Sequence, residues 1–205
     1  MQKRAEQMDE TRQRIIESTV RLHGTLGPAH TTIAGIARDA GVTRLTVYRH
    51  FPDDEAIFEA CSAHWLAGQV LPDPVAWTRI DDPVHRLRVG LSDLYRFYRD
   101  GEGMLTRVYR DRDAMPDGRR RALAQRDGHL RDVLVEPFGS TDRRLRAVVG
   151  HAASFATWRS LCLEQELTNG DVVEVMVALA VTTTTGAGPS RAKGDMTDRE
   201  AGSVR

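Results

Sequence analysis

Arg44, Thr46, Tyr48 and His50 lie within seven residues of one another and carry hydrogen-bonding tips of the kind that reach phosphates and base edges. Such chemistry is recognition of nucleic acid, not turnover. The same stretch holds Val47 and Phe51, spaced to point back into a fold while the polar residues face out. Thr32, Thr43, Leu45 and Arg49 stand beside them and complete the candidate DNA-contacting set. A second group is rich in large side chains with polar tips: Trp65, Leu91, Tyr95, Tyr98, Met104, Val108, Tyr109, Phe155 and Trp158. These are the residues that would line and orient a small molecule in a cavity, and equally those that would fill a core. Cys61 and His64 sit three apart, but no second pair with metal-ligand spacing follows, so no metal and no cofactor is expected. No nucleophile and base signature and no phosphate-cradling glycine loop is present, which argues against an enzyme.

The elements that must hold the first group are two short helices meeting at a fixed angle over residues 31–51, TTIAGIARDAGVTRLTVYRHF. Ile33, Ile36, Ala37 and Ala40 recur at i, i+3, i+4 and i+7, one apolar face of a helix that Thr32 can cap. Gly41 stands where a helix ends in a left-handed residue, Val42 anchors the connection, and Thr43 can cap a second helix over 43–50. That is the length of a helix-turn-helix connection. The same corner occurs in helical proteins that bind no DNA, and the corner by itself does not separate the two.

A more specific likeness covers residues 15–57. This stretch resembles the DNA-binding domain of the tetracycline-repressor (TetR) family of bacterial transcription regulators. The resemblance is carried by Ile15 and Ile16, Thr32, Ile36 and Ala37, the run Ala40, Gly41, Val42 and Thr43, the run Tyr48, Arg49, His50 and Phe51, and then Glu55 and Ile57. Three positions depart from the family pattern. Leu45 stands where a small residue is usual, Asp54 where a phosphate-touching Lys is usual, and His23 where an aromatic is usual. The resemblance implies an all-α fold, with a three-helix DNA-binding domain followed by a helical effector-binding and dimerisation domain. It implies a regulator, typically a repressor, that leaves a palindromic operator when a small-molecule effector binds. The alternatives are a degenerate helix-turn-helix protein acting through a protein partner, and an enzyme that borrowed the corner.

Length and charge agree with that organisation. The 205 residues can bury a substantial core. The zero net charge divides unevenly: residues 1–50 carry eight Lys and Arg against five Asp and Glu, so the head is mildly basic. Lys3 and Lys193 are the only lysines, a bias that we read as genomic. Two separated cysteines do not indicate a disulfide framework, and no apolar run is long enough to span a bilayer, so a cytoplasmic protein without membrane contact is expected.

The expected domains are a flexible arm over 1–8, the DNA-binding domain over 9–52, the helical domain over 53–185 and a disordered tail over 186–205. About nine helices are expected, at roughly 9–26, 32–40, 43–50, 53–71, 82–98, 104–114, 116–136, 142–166 and 171–182. In the first, Ile15, Thr19, Leu22 and Leu26 pack on the helix pair; in the fourth, the inner face holds Cys61, His64 and Trp65. The run Arg119, Arg120 and Arg121, with Arg126 and Arg131 beyond, reads either as a face laced with charge pairs or as a second nucleic-acid surface. The last helix is apolar nearly all round and must be covered on both sides. Its cover is expected to be a second copy of the chain, through Leu145, Val149, Ala152, Val172, Met176 and Leu179; the alternative is burial within one subunit.

Overall fold

The computed structural model describes residues 2–185, and the tail expected over 186–205 lies outside the described residues. Eleven α-helices and no strand make up the described chain. Helix α1 (Gln2–Thr25) begins well before the expected start at residue 9. Ala5, Glu6, Gln7 and Met8 are good helix formers with no breaker among them, so residues 2–8 are helical and not a loose arm. The helix ends before Gly27, whose φ of +93° suits glycine, and Leu26 just outside it is 49% exposed instead of packing on the helix pair.

Helices α2 (Ile33–Asp39) and α3 (Arg44–His50) are capped as their spacing implies. Thr32 Oγ1 accepts from Gly35 N at 3.0 Å and Thr43 Oγ1 from Thr46 N at 3.1 Å. Between them Gly41 takes a φ of +66° and Val42 N donates to Ala37 O at 2.9 Å, which satisfies a carbonyl at the end of α2 and fixes the corner. Helix α4 (Asp54–Ala67) starts on the Asp53 cap and ends at Gly68, short of residue 71. Ile15, Ile16, Ile36, Val47, Phe51 and Ile57 form the core of this head. Its boundary therefore lies within α4, not at residue 52: Ile57 belongs to the head, while Trp65 and Leu66 pack on the body. His64 is exposed and not on the inner face.

The body contains α5 (Pro74–Trp77), α6 (Pro83–Asp100), α7 (Glu102–Arg110), α8 (Asp117–Val135), α9 (Arg143–Ala152), α10 (Phe155–Arg159) and α11 (Asn169–Thr185). Helix α5 occupies what reads as a loop: the Asp73 cap and Pro74 start it, and Trp77 holds it by burying its ring and donating Nε1 to Asp93 Oδ2 at 3.1 Å. The long helix expected over 142–166 is broken at Ala153 and Ser154, and its second half runs on from α10 into a π-helical turn, Ser160–Glu164. These two differences raise the count from nine helices to eleven.

Helix α11 packs against α6 and α9. Leu145, Val149, Ala152, Val172 and Met176, expected at a subunit interface, are all buried inside the chain; of that set only Leu179 is exposed, at 43%. An all-apolar helix at the edge of a helical layer has one face covered by its own subunit, and these residues occupy that face. Val175 and Leu179 occupy the other, and Leu163 and Leu167 lie exposed in the segment before α11. No helix among the described residues is long and apolar enough to cross a membrane.

Candidate nucleic-acid interface and adjoining cavity

Helix α3 presents its polar residues outward because Val47 and Phe51, both buried, fix its rotation against the head core. Arg12 adds to this by placing its guanidinium 4.9 Å from the centre of the Phe51 ring. Thr32, Thr43, Arg44 and Arg49 are exposed, as are Tyr48 at 51% and Leu45 at 79%. None of the ion pairs among the described residues involves Arg44 or Arg49. Thr46 is half-buried, with its hydroxyl 2.9 Å from that of Thr43. His50 departs from expectation: it is half-buried, and its Nε2 is enclosed without a hydrogen-bond partner among the described residues. Burial first, and then the charges of Arg49 and Arg12, hold its pKa below the usual histidine value. Asp54 is exposed in the first turn of α4, and it shares with Thr31, Thr32 and Ile33 a cleft of about 480 Å³ that also reaches Met115 and Pro116.

A cavity of about 220 Å³ lies between α1, α4, α7 and α8. Trp65, Met104 and Val108 of the expected ligand set line it. Leu91, Tyr95, Tyr98, Tyr109, Phe155 and Trp158 do not; they form a filled aromatic core. The break between α9 and α10 explains the difference. It leaves carbonyls at Ala152 and Ala153 without helical partners, and the hydroxyls of Tyr95 and Tyr98 donate to them, each at 2.7 Å. Trp158 Nε1 donates to Asn169 Oδ1 at 2.9 Å, and Tyr109 stacks on Phe155 with ring centres 5.0 Å apart while its hydroxyl donates to Asp127. Burial pushes all three tyrosine hydroxyls above their ordinary pKa.

Residues outside the expected ligand set close the cavity: Val20 and His23 from α1, Phe58, Ser62 and Leu66 from α4, Arg119, Leu123 and Arg126 from α8. The His23 ring lies tilted against that of Phe58 with centres 4.6 Å apart, and its Nδ1 is 3.5 Å from Cys61 Sγ. Burial lowers the His23 pKa to about 4 and pushes the Cys61 thiol up to about 12, so both are neutral near pH 7. The one local signal for this wall was His23 in place of an aromatic on α1; the contributions of α8 require the folded chain.

Polar contacts tie the cavity walls to the head. On α7, Arg107 Nε donates to Thr25 O and Arg110 Nη2 to Leu26 O, both at 3.0 Å, which satisfies carbonyls at the end of α1. Asp111, held well below the usual carboxylate range first by its bond from Arg110, accepts from Ala29 N at 3.1 Å. On α8, Arg119 pairs with Glu55 of α4 at 2.8 Å, and Gly118 makes room for it: a Cβ there would fall 2.3 Å from the Glu55 carboxylate. With the Arg146 to Asp132 pair at 2.7 Å, these contacts give the arginine-rich helix the charge-paired face.

Residues 15–61 match the family described as bacterial regulatory proteins, tetR family. A curated relative, the HTH-type transcriptional regulator AcrR of Shigella flexneri, is 39% identical over 56 residues, which is 27% of this chain and 26% of that protein. The chain thus aligns with about a quarter of the length of that relative. Solved structures extend the likeness over the fold. A TetR-like transcriptional regulator from Rhodococcus sp. RHA1 superposes with a TM-score of 0.59 at 19% identity, over 86% of this chain and 96% of that one. NalD, the secondary repressor of the MexAB-OprM multidrug efflux pump in Pseudomonas aeruginosa, superposes with a TM-score of 0.57 at 21% identity, also over 86% of this chain and 96% of that one. The head over residues 15–61 is thus similar to the DNA-binding domain of the tetR family of bacterial regulatory proteins, and the whole described chain shares the fold of those two solved regulators.

Proposed function

We propose that this protein is a sequence-specific, DNA-binding transcription regulator without enzymatic activity, acting in the cytoplasm as a repressor that a small-molecule effector releases from its operator. The observation that carries the reading is α3: a capped, rigidly held helix whose outward residues Arg44, Tyr48 and Arg49 have no internal work to do. Arginines that pair with no carboxylate suit guanine edges and phosphates, and the exposed methyls of Leu45 suit the C5-methyl of thymine. Thr32, Thr43, Thr46 and His50 flank this surface and are assigned to backbone phosphates and register.

The working unit is a two-fold homodimer on a palindrome, with two α3 helices in successive major grooves about 34 Å apart. Its interface is the exposed apolar face of Val175 and Leu179 on α11, together with Leu163 and Leu167. The 220 Å³ cavity is the effector site, because its walls belong to the same helices that hold α1 and Glu55. A ligand that binds the two conformations with different affinity shifts operator binding, typically about 5- to 150-fold.

Selection of genomic fragments by the purified protein tests the reading and yields the operator. Recovery of a shared palindrome, with affinity that collapses in Arg44→Ala and Tyr48→Ala, is the expected result. Fragments without a common sequence, or enrichment unchanged in both variants, would refute it and favour a regulator that acts through a protein partner.

A further inference from the structure

The cavity between α1, α4, α7 and α8 has one charge to spare. Its walls are largely apolar: Val20, Phe58, Trp65, Met104, Val108 and Leu123. Two neutral groups, His23 and Cys61, contact each other on the side formed by α1 and α4. Two guanidiniums come from α8, and they differ. Arg119 is committed to Glu55 at 2.8 Å. Arg126, two turns further along the same helix face beyond Ala122 and Leu123, has no carboxylate within ion-pair distance among the described residues and lies over the Phe97 ring at 4.9 Å. Its neighbour Asp127 is turned to the hydroxyl of Tyr109, which donates to both carboxylate oxygens at 3.0 and 3.2 Å. Burial raises the Asp127 pKa, opposed by its bond from Tyr109 and by the charge of Arg126, so Asp127 answers Arg126 only through space and not in an ion pair.

An apolar chamber with a single uncommitted cation at its wall selects for a ligand of matching polarity. A neutral ligand leaves the guanidinium unanswered, and a cation is repelled by both arginines. We propose that the cavity takes a small monocarboxylate with an apolar body, alkyl or aryl, whose carboxylate pairs with Arg126; the inference rests on the effector reading above and names its ligand class. Size limits the body. An apolar cavity of about 150 Å³ holds benzene, so on the same scale this one holds about nine non-hydrogen atoms. The apolar bodies of octanoate and 3-phenylpropanoate, about seven and eight carbons, fall within that limit with the carboxylate at the wall. Arg119 adds a route to the head, since a carboxylate entering beside Arg126 competes with Glu55 for the second guanidinium and loosens the tie between α8 and α4.

The test measures binding directly, with no DNA present. The full chain is titrated by calorimetry with sodium octanoate, with 3-phenylpropanoate, with 1-octanol and with octylamine. At least one of the two carboxylates is expected to bind more tightly than either octanol or octylamine. Arg126→Gln is expected to weaken it about 10- to 100-fold, the range for a charged hydrogen bond, while octanol binding changes less than about threefold and so reports an intact cavity. Leu123→Trp, with a melting curve to show that it folds, is expected to remove both ligands by filling the chamber. The inference is overturned if neither carboxylate binds, if octanol or octylamine binds as tightly, if Arg126→Gln leaves carboxylate affinity unchanged, or if Leu123→Trp does. A carboxylate that binds through Arg126 and yet leaves operator affinity unchanged refutes the effector reading alone; an operator released only by cationic or neutral compounds refutes the ligand class alone.

Discussion

Tyr48 on α3 stands half in solvent on a helix whose outward groups have no internal partners, whereas Tyr95 and Tyr98 on α6 are buried and donate at 2.7 Å to the carbonyls of Ala152 and Ala153. The two regions use the same phenol for opposite ends. In the head, the starts of α2, α3 and α4 and the end of α2 are closed locally, by Thr32, Thr43, Asp53 and Gly41, so the backbone demands nothing of α3 and its side chains are left for a partner. In the body, the chain breaks at Ser154 and exposes carbonyls in the core, and the tyrosines are consumed in satisfying them. A hydrogen-bonding side chain is available for function where the surrounding backbone is already satisfied.

The largest effect separates core from interface on α11. Met176→Glu buries an unpaired carboxylate inside the chain and should destabilise it by about 3–5 kcal/mol, as seen by chemical denaturation. Leu179→Glu, on the outward face, should leave each subunit folded and dissociate the dimer, as read by sedimentation. If Met176→Glu yields a stable monomer instead, the assignment of the two faces is wrong.

The histidines give the next contrast. His23 has a folded pKa of about 4 against an ordinary value of 6.5, so protonation favours the unfolded chain. The stability tied to neutral His23 is fully present above about pH 6.5 and is lost as the pH falls from there toward 4, with a total of about 3 kcal/mol. Denaturation curves of the native protein and of His23→Phe should therefore diverge in acid-dependence across that window. His50 is only half-buried, with a lowering that takes it in the same direction, and His50→Phe should flatten the pH profile much less. Parallel profiles for native protein and His23→Phe would show that the ring is already charged or already wet.

Removal of one oxygen compares the regions most directly. Tyr98→Phe leaves the carbonyl of Ala153 buried and unpaired and should cost about 1–3 kcal/mol. Tyr48→Phe should change stability by less than about 0.5 kcal/mol and act on operator affinity instead. Equal stability losses in the two variants would erase the distinction drawn here.

Much of the head was legible because its determinants are local. Thr32 and Thr43 cap the helices their spacing marks, and Gly41 has the left-handed φ that a helix end of this kind asks of a glycine. The body was less so, for a physical reason in each case. Nothing local in the run Ala152, Ala153 and Ser154 is as strong a helix breaker as Pro, and the break is stabilised by tyrosines from a distant helix. An all-apolar α11 does not say which of its faces meets its own chain; the position of α6 and α9 decides. The cavity joins His23 to Arg126, residues from helices far apart in the chain, so no spacing rule connects them.

The smallest effect on stability concerns Asp54, which either faces a DNA phosphate or only strengthens the start of α4. The cap of α4 is Asp53, whose Oδ1 accepts from Ala56 N at 2.8 Å, so Asp54 is not needed to close the helix end. As a first-turn acid it still contributes some tenths of a kcal/mol through the helix dipole. It is exposed and shares a cleft with Thr32, itself a candidate phosphate contact, which favours a carboxylate that faces the DNA backbone and opposes binding. Asp54→Lys is then expected to lose those tenths in a denaturation series and to gain about one phosphate contact per subunit. Operator and non-specific DNA should both bind more tightly, with the slope of log affinity against log salt steeper by about two for the dimer and sequence preference nearly unchanged. Titration of both proteins over a salt series decides: an unchanged slope means that Asp54 points away from the phosphates and serves only the dipole of α4.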